Sequence, residues 1–439
     1  MRRAIWIVTA LALAYSAVHF VNSGVLYSLD RQSLEKFDEQ LPALRTHLAT
    51  GKPVHYTSGM AQYGPVFFFV MHPMLTHASG PEQLSTWLYA LALACVAVGF
   101  VATVATLKPL VEPKHRPLAI AWLAILWLNF TPLLGLLVTK SVETWELMLI
   151  SLGAFAYTRG HRWLTAVAIG AASLVKMLPL IFVVYFVLTD RRTFVYTCVV
   201  MAAILLVAQG LYGSEMGWRY LPSLARGASG DSFGLRWHEN LSIKAAITKM
   251  FGHLARPENG SRVAYTVVQT LRQTLWSLRI GDLAALWGAA LYIWAILRRM
   301  PPSSREGMLS QWALTTVAML ILSPNTTFEN ITLALGTISF VAVEAFRSRR
   351  RLAGDYVTLV CVVGALLLLG ALVPRGLLNR VTLVPLLVRW SGYEHLTPSD
   401  AYDYYCFPLV GLFLLLAAIW RLQPAPERAG RLSAVARPA

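Results

Sequence analysis

Long apolar runs recur along the whole chain, and several reach the roughly 17–25 residues that a helix needs to cross a bilayer. Between them stand short loops rich in arginine and lysine: 108–116 (KPLVEPKHR), 159–162 (RGHR), 190–192 (DRR), 298–306 (RRMPPSSRE) and 347–351 (RSRRR). Together these features restrict the chain to one class, an all-α polytopic membrane protein. The alternating strands of a membrane β-barrel are not seen. Composition agrees. A soluble protein carries about 25% charged residues, whereas this chain has 14%, with 56% hydrophobic residues and a mean hydropathy of +0.55. The net charge of +16 suggests a nucleic-acid partner until the basic residues are located. They sit in short loops between spans, as the positive-inside rule requires, so they report topology and no nucleic-acid partner is expected.

That rule orders the spans. Residues 4–24 form an uncleaved first span, since no small-residue cleavage site follows the apolar run. The segment 64–75 holds Pro65 and Pro73, is too short to cross, and reads as a re-entrant or interfacial piece. Spans follow at 83–107, 117–138 and 147–158, with TKSVETWE (139–146) near the outer surface. The run 163–188 has basic residues at both ends. It is either one span, which flips the later topology, or a hairpin bent near Lys176–Pro179, and a lysine and a proline in mid-run favour the hairpin. Further spans are expected at 193–212, 281–297, 308–323, 328–346, 354–373 and 404–420. This makes about twelve membrane helices with both termini cytoplasmic. Residues 1–421 then form one integral-membrane domain, and 422–439 a basic, Pro/Ala-rich cytoplasmic tail expected to be disordered. The three largest polar segments, 27–63, 213–275 and 374–403, all fall on the outer side, which suggests chemistry at that face.

Several residues stand out chemically. Glu35, Asp38 and Glu39 crowd a short stretch just beyond the first span. An aspartate there can take the proton of an attacking hydroxyl, or it can belong to a solvated amphipathic helix with Lys36 and Arg45 as partners. In LRWHENLSIKAAITKMFG (235–252), Trp237 can stack on a sugar, while His238, Glu239 and Asn240 offer hydrogen bonds. Lys244 and Lys249 can meet phosphate. The alternative is an interfacial helix with an aromatic anchor. Lys176 is costly in an apolar run and needs a phosphate, a carboxylate or freed carbonyls, unless it only snorkels or caps the bend. LSPNTTFENITLAL (322–335) breaks two spans at Pro324 and carries Asn325, Glu329 and Asn330 to the outer edge. His238, His253 and His395 are far apart, the four cysteines lie in or beside apolar segments, and no nucleotide-binding loop is present. No metal site and no cofactor are expected.

Five segments, in order, resemble a known family. They are the acidic stretch followed by Gly51 and Tyr56, then YGP (63–65), SLVKMLP (173–179), WHENLS (237–242) and ILSP (321–324). They look like the polyprenyl-phosphate-sugar-dependent glycosyltransferases of family 87, which include mannosyltransferases that extend phosphatidylinositol mannosides. The resemblance covers roughly residues 20–345. It implies a GT-C-type bundle with its active site at the outer face of the plasma (inner) membrane. It also implies hexosyl transfer, with mannose the expected sugar, from a polyprenyl-phosphate donor to a glycolipid or cell-envelope glycan acceptor, with inversion.

Asp38, which precedes Gly51 and Tyr56 at a spacing like the family's, would be the general base, with Asp30 the fallback. Tyr63 falls in the YGP match, and Lys176 matches the lysine before a proline-bearing break. Asn240–Leu241–Ser242 matches an asparagine–glutamine–serine motif whose glutamine is Leu241 here. The tryptophan and histidine that usually follow the family's Ser-Pro segment are replaced by Thr327, Phe328, Glu329 and Asn330. Lys244, Arg236, Arg375 and Arg380 would hold the lipid phosphate, and Trp237, His238, Glu239 and Glu329 would meet the substrates. The competing readings are a transporter or lipid flippase, and a scaffold or pseudoenzyme that keeps the fold.

Overall fold

A computed structural model describes residues 2–30, 34, 37, 40–54, 63–222, 240–247, 280–298, 304–323, 326–352, 354–371 and 406–422. Among these residues all regular structure is helical. The chain begins with α1 (Arg2–Phe20), a π-helical turn (Val21–Leu26) and α2 (Tyr27–Asp30), followed by α3 (Gln40–Thr50), α4 (Pro65–His77) and α5 (Pro81–Leu107). Next come α6 (Arg116–Asn129), α7 (Thr131–Thr139), α8 (Glu143–Thr158), α9 (Arg162–Val175), α10 (Ile181–Thr189) and α11 (Arg191–Tyr212). Further along come α12 (Ile280–Arg298), α13 (Arg305–Leu322), a 3₁₀ segment (Glu329–Ala334), α14 (Leu335–Arg347) with a short helical turn after it (Arg349–Leu352), α15 (Tyr356–Leu368) and α16 (Phe407–Leu422).

Local chemistry sets many of these boundaries. Prolines open α4 and α5, where the missing N–H costs nothing. Side chains of Asp190, Ser304 and Asp355 accept backbone N–H groups at the starts of α11, α13 and α15. Among the described residues, five helices are long and apolar enough to cross a membrane, or six if the bent pair Pro113–Asn129 and Thr131–Thr139 is one span. About twelve spans were expected. The apolar helices α9, α15 and α16 are real but shorter than that length.

α13 is central and buried at every position from Leu309 to Ile321. A helix apolar or buried on all sides belongs in the middle of a bundle. α12, the 3₁₀ segment, α14 and α16 pack around it. α5 lies along α8, α8 along α9, and α9 along α11. In lipid, helices associate by close packing rather than by loss of water, so small residues line their contacts. Gly99 of α5 meets α8, where a Cβ would lie 3.5 Å from the Met148 Cα, and at Gly170 of α9 a Cβ would lie 3.0 Å from Val200 of α11.

The run 163–188 folds back on itself. As one straight helix its ends would lie about 39 Å apart, yet Arg162 Nε and Asp190 Oδ2 are 2.9 Å apart. The turn comes where the hairpin reading puts it. Lys176 is extended (φ −140°, ψ 157°), and Leu178–Leu180 is a 3₁₀ turn. The single span expected over 117–138 is instead broken, bending by 52°. Phe130 is extended there, and Pro132 in a continuous helix would clash with the carbonyl four residues back.

Basic residues gather at one end of the bundle. Arg162 pairs with Asp190, Arg347 bridges Glu306 and Glu344 at 2.7 and 2.6 Å, and Arg421 meets Asp355 at 3.1 Å. The other end holds the start of α8, the tip of the α9–α10 hairpin and the 3₁₀ segment.

Candidate functional site

At that second end, the tip of the hairpin meets the start of α8. Lys176 leaves α9 as an extended residue, and its ammonium forms an ion pair with the Glu143 carboxylate. The two side chains are only 13% and 1% exposed. Glu143 also accepts a hydrogen bond from the Ser141 hydroxyl and one from Asn330 Nδ2 at 3.2 Å. As the first residue of α8 it lies where a helix favours negative charge. The preceding turn is tight, since Lys140 adopts a left-handed conformation (φ 54°). The ring of Tyr63 completes the surround, with its centroid 5.2 Å from Lys176 Nζ, close enough for a cation–π contact. Three residues on, Glu146 is fully buried, and neither carboxylate oxygen has a hydrogen-bond partner among the described residues.

Tyr63 is held there by the glycine that follows it. Gly64 N–H donates to the Val175 carbonyl at 2.7 Å. A Cβ on Gly64 would lie 2.1 Å from the Leu174 carbonyl oxygen and 2.7 Å from Tyr220 Oη. No larger residue fits without moving the end of α9. Pro65 then starts α4. The YGP and SLVKMLP segments are therefore one structural unit, although more than 100 residues separate them.

A second pair of segments meets beside it. Leu241 N–H donates to the Thr326 carbonyl at 2.5 Å, and Asn240 Oδ1 accepts from the backbone N–H groups of Ser242 (3.0 Å) and Thr326 (3.4 Å). Ser242 Oγ accepts from Ala245 N at 3.1 Å and starts a helical turn. Leu241 is wholly buried, so the residue that departs from the family's motif packs in the core. Asn330 joins this unit to the first. Its Oδ1 accepts from Thr327 N at 2.8 Å while its Nδ2 reaches Glu143.

Of the residues expected from sequence, Lys176, Tyr63, Asn240 and Glu329 lie at this end. Glu329 is half-buried, and its Oε1 lies 3.5 Å from Thr139 Oγ1 of α7. Lys244 pairs with Asp282 of α12 at 2.7 Å. Asp38, Arg236, Trp237, His238, Glu239, Arg375 and Arg380 lie outside the described residues, as do the side chain of Asp30 and the tail 423–439. Phe37 is described and buried, its ring 6.0 Å from that of Tyr63. Sequence reasoning did not find Glu143, Ser141 or the bridging part of Asn330. A signal for the first was present: two carboxylates three residues apart open an apolar run, and such groups need a cation.

The model of glycosyltransferase family 87 matches residues 61–324. That stretch contains the YGP, SLVKMLP, NLS and ILSP segments and most of the residues around Lys176. No curated protein matches the chain.

Proposed function

Because the chain belongs to glycosyltransferase family 87, we propose that it transfers a hexose, with mannose the first candidate, from a polyprenyl-phosphate sugar to a lipid-linked or cell-envelope acceptor. The reaction takes place at the outer face of the plasma membrane, on a GT-C-type bundle whose termini are cytoplasmic. One observation carries the reading. Four separate segments converge on a desolvated lysine at the end of the bundle opposite the basic loops.

An intramembrane cation is expensive and is kept where an anion must be met. In this reading Lys176 meets the donor phosphate, held in place by Glu143 and Tyr63. The acceptor hydroxyl oxygen attacks the anomeric carbon, and a new C–O bond forms with inversion. The bond from that carbon to the phosphate oxygen breaks, and its electron pair leaves with the polyprenyl phosphate. Cations beside that phosphate stabilise the charge as it grows. Asp38 takes the hydroxyl proton. Its neighbour Phe37 packs on the tyrosine that lies against Lys176, which supports a base close to the ammonium. Arg236, Lys244, Arg375 and Arg380 add positive charge for the lipid phosphate. Trp237, His238 and Glu239 orient the sugars.

The test uses purified protein in lipid nanodiscs, labelled polyprenyl-phosphate hexoses and a membrane glycolipid fraction as acceptor. Transfer is expected from one donor. Asp38→Asn is expected to cut the rate by about 10²–10⁴-fold while the protein stays folded. Absence of transfer from every donor, or near-normal turnover by Asp38→Asn, would overturn the reading.

A further inference from the structure

At the basic end the carboxylates are already taken. Arg162 holds Asp190, Arg347 holds Glu306 and Glu344, Arg421 holds Asp355, and Lys114 holds Glu112. Two arginines are left over. Arg159 lies just past the end of α8, three residues before Arg162, and Arg305 is the first residue of α13, beside Glu306. Among the described residues no carboxylate pairs with either.

Arg305 is the more unfavourable of the two. Its Nε and Nη2 are shut off from water and have no hydrogen-bond partner. A guanidinium stays charged and can only donate, and a buried charged group left without acceptors costs more than a neutral one. The first turn of a helix also disfavours a cation. Arg159 is close enough for the two positive charges to repel. It is exposed, and its guanidinium lies 4.7 Å from the centre of the Phe155 ring, an apolar seat that supplies no counter-charge. An anion between the two arginines removes the repulsion and provides the missing acceptors, and the planar fork of arginine suits a phosphate.

The depth of the pair points to the source of that phosphate. Trp163, Trp294 and Trp420 are exposed, and each stands within four residues of a basic residue of this end, Arg162, Arg298 or Arg421. Exposed tryptophans beside basic residues mark the level of lipid head groups. Basic pockets between helices at that level bind anionic head groups. One turn further in, Ala154 of α8 and Leu309 and Trp312 of α13 line a cavity of about 40 Å³. The two helices are therefore loosely packed near this end, which leaves room for the Arg305 side chain to turn its buried edge outward.

We propose that Arg159 and Arg305 form a site for the phosphate of an anionic phospholipid, which bridges the ends of α8 and α13. The opposite end of α8 carries Glu143, and the segment after α13 carries Asn330. The lipid then braces, from the far side of the bundle, the two elements that meet beside Lys176. This site is separate from the transfer reading and does not depend on it.

Native mass spectrometry tests it on the full chain, released from detergent micelles doped with phosphatidylglycerol or phosphatidylcholine, with soluble glycerol phosphate as competitor. Wild type should retain one phosphatidylglycerol at a lower lipid concentration than phosphatidylcholine requires, and glycerol phosphate should not displace it. Arg305→Gln and Arg159→Gln should each weaken retention about fivefold. Arg192→Gln is the control, since it removes the same charge from an exposed arginine of this end and should bind as wild type does. Phosphatidylglycerol added to phosphatidylcholine nanodiscs should raise the melting temperature of wild type and of neither variant, a readout that a merely structural role would not move. Arg159 is exposed, so Arg159→Gln decides even if Arg305→Gln does not fold. Equal retention of the two lipids, displacement by glycerol phosphate, an equal loss in Arg192→Gln, or retention and melting unaltered in the folded variants would overturn the proposal.

Discussion

The two ends of this bundle both carry ion pairs, but in opposite settings. At the basic end Arg162 is 47% exposed and its partner Asp190 16%. Arg347 and Glu306 are each about a third exposed. At the other end Lys176 and Glu143 are 13% and 1% exposed. Exposed pairs contribute about 0–1 kcal/mol each and mainly fix helix ends and orientation. A buried pair is different, because removing charge from water is repaid only when the geometry is good and the remaining donors and acceptors are used. Glu143 meets that condition through the Lys176 ammonium, the Asn330 amide and the Ser141 hydroxyl, and it lies in the first turn of α8, where negative charge is favoured. Folding alone would be served as well by apolar residues of the same volume. The donor site proposed at Lys176 would account for their absence here.

The comparison breaks most decisively at Glu143. Glu143→Ala leaves a desolvated ammonium without its carboxylate, and breaking such a pair costs about 3–5 kcal/mol. The protein should melt far earlier in nanodiscs, and transfer should disappear. Lys176→Met should be milder for stability because Glu143 keeps its other partners, yet donor binding should fall. The double variant should be more stable than Glu143→Ala alone, since no unpaired ammonium remains, and a double-mutant cycle measures this coupling. Additive losses would show that the pair does not act as a unit.

Gly64 gives the next largest effect. Gly64→Ala drives a Cβ into the backbone of Leu174, which cannot swing aside as a side-chain tip can. Overpacking of this kind costs about 1–3 kcal/mol, and the end of α9 that carries Lys176 has to shift. Thermal unfolding and donor binding should both suffer. Gly135→Ala, in open space on a helix, should leave stability unchanged or slightly raised. If the two substitutions behave alike, the close approach of YGP to the hairpin tip does not hold the site.

Much of this fold is legible in the sequence because membrane helices follow from length and charge. The ends of α5, α11 and α12 fall within a few residues of the expected spans, and the break at Lys176–Pro179 follows from a lysine and a proline in an apolar run. What sequence hides is what depends on partners. Glu143 looks like a polar flank until Lys176, 33 residues on, and Asn330, 187 residues on, are brought to it. Gly64 looks like an ordinary turn residue, because nothing in its neighbours reveals a carbonyl 2.1 Å from a missing Cβ. The bend at Phe130 was hidden for a related reason. Pro132 sits among leucines, and an apolar run of the right length reads as one span whether it is straight or broken.

The smallest effect belongs to the basic end, and it turns the comparison into a pH experiment. Burial raises the pKa of the Asp190 carboxyl, but hydrogen bonds from Arg162 and Thr193 and the Arg162 charge outweigh it, so the net shift is downward. The folded state therefore binds the proton less tightly than the unfolded chain. The resulting stabilisation is complete above the unfolded pKa of about 3.9 and fades as pH falls through the lower folded value. Asparagine is also a good N-cap, so Asp190→Asn keeps the start of α11 and loses only the pair with Arg162, at about 0–1 kcal/mol near pH 7 for so exposed an arginine. Asp190→Ala loses the cap as well and should cost about 0.5–2 kcal/mol more. Melting curves from pH 7 to pH 3 should show the gap between wild type and Asp190→Asn closing as pH falls, with glycosyl transfer at pH 7 unaffected. A gap that stays constant in acid would mean that the Asp190 charge contributes nothing. A gap at pH 7 as large as that of Glu143→Ala would mean that burial does not separate the two ends, and the assignment of function to one of them would lose its physical basis.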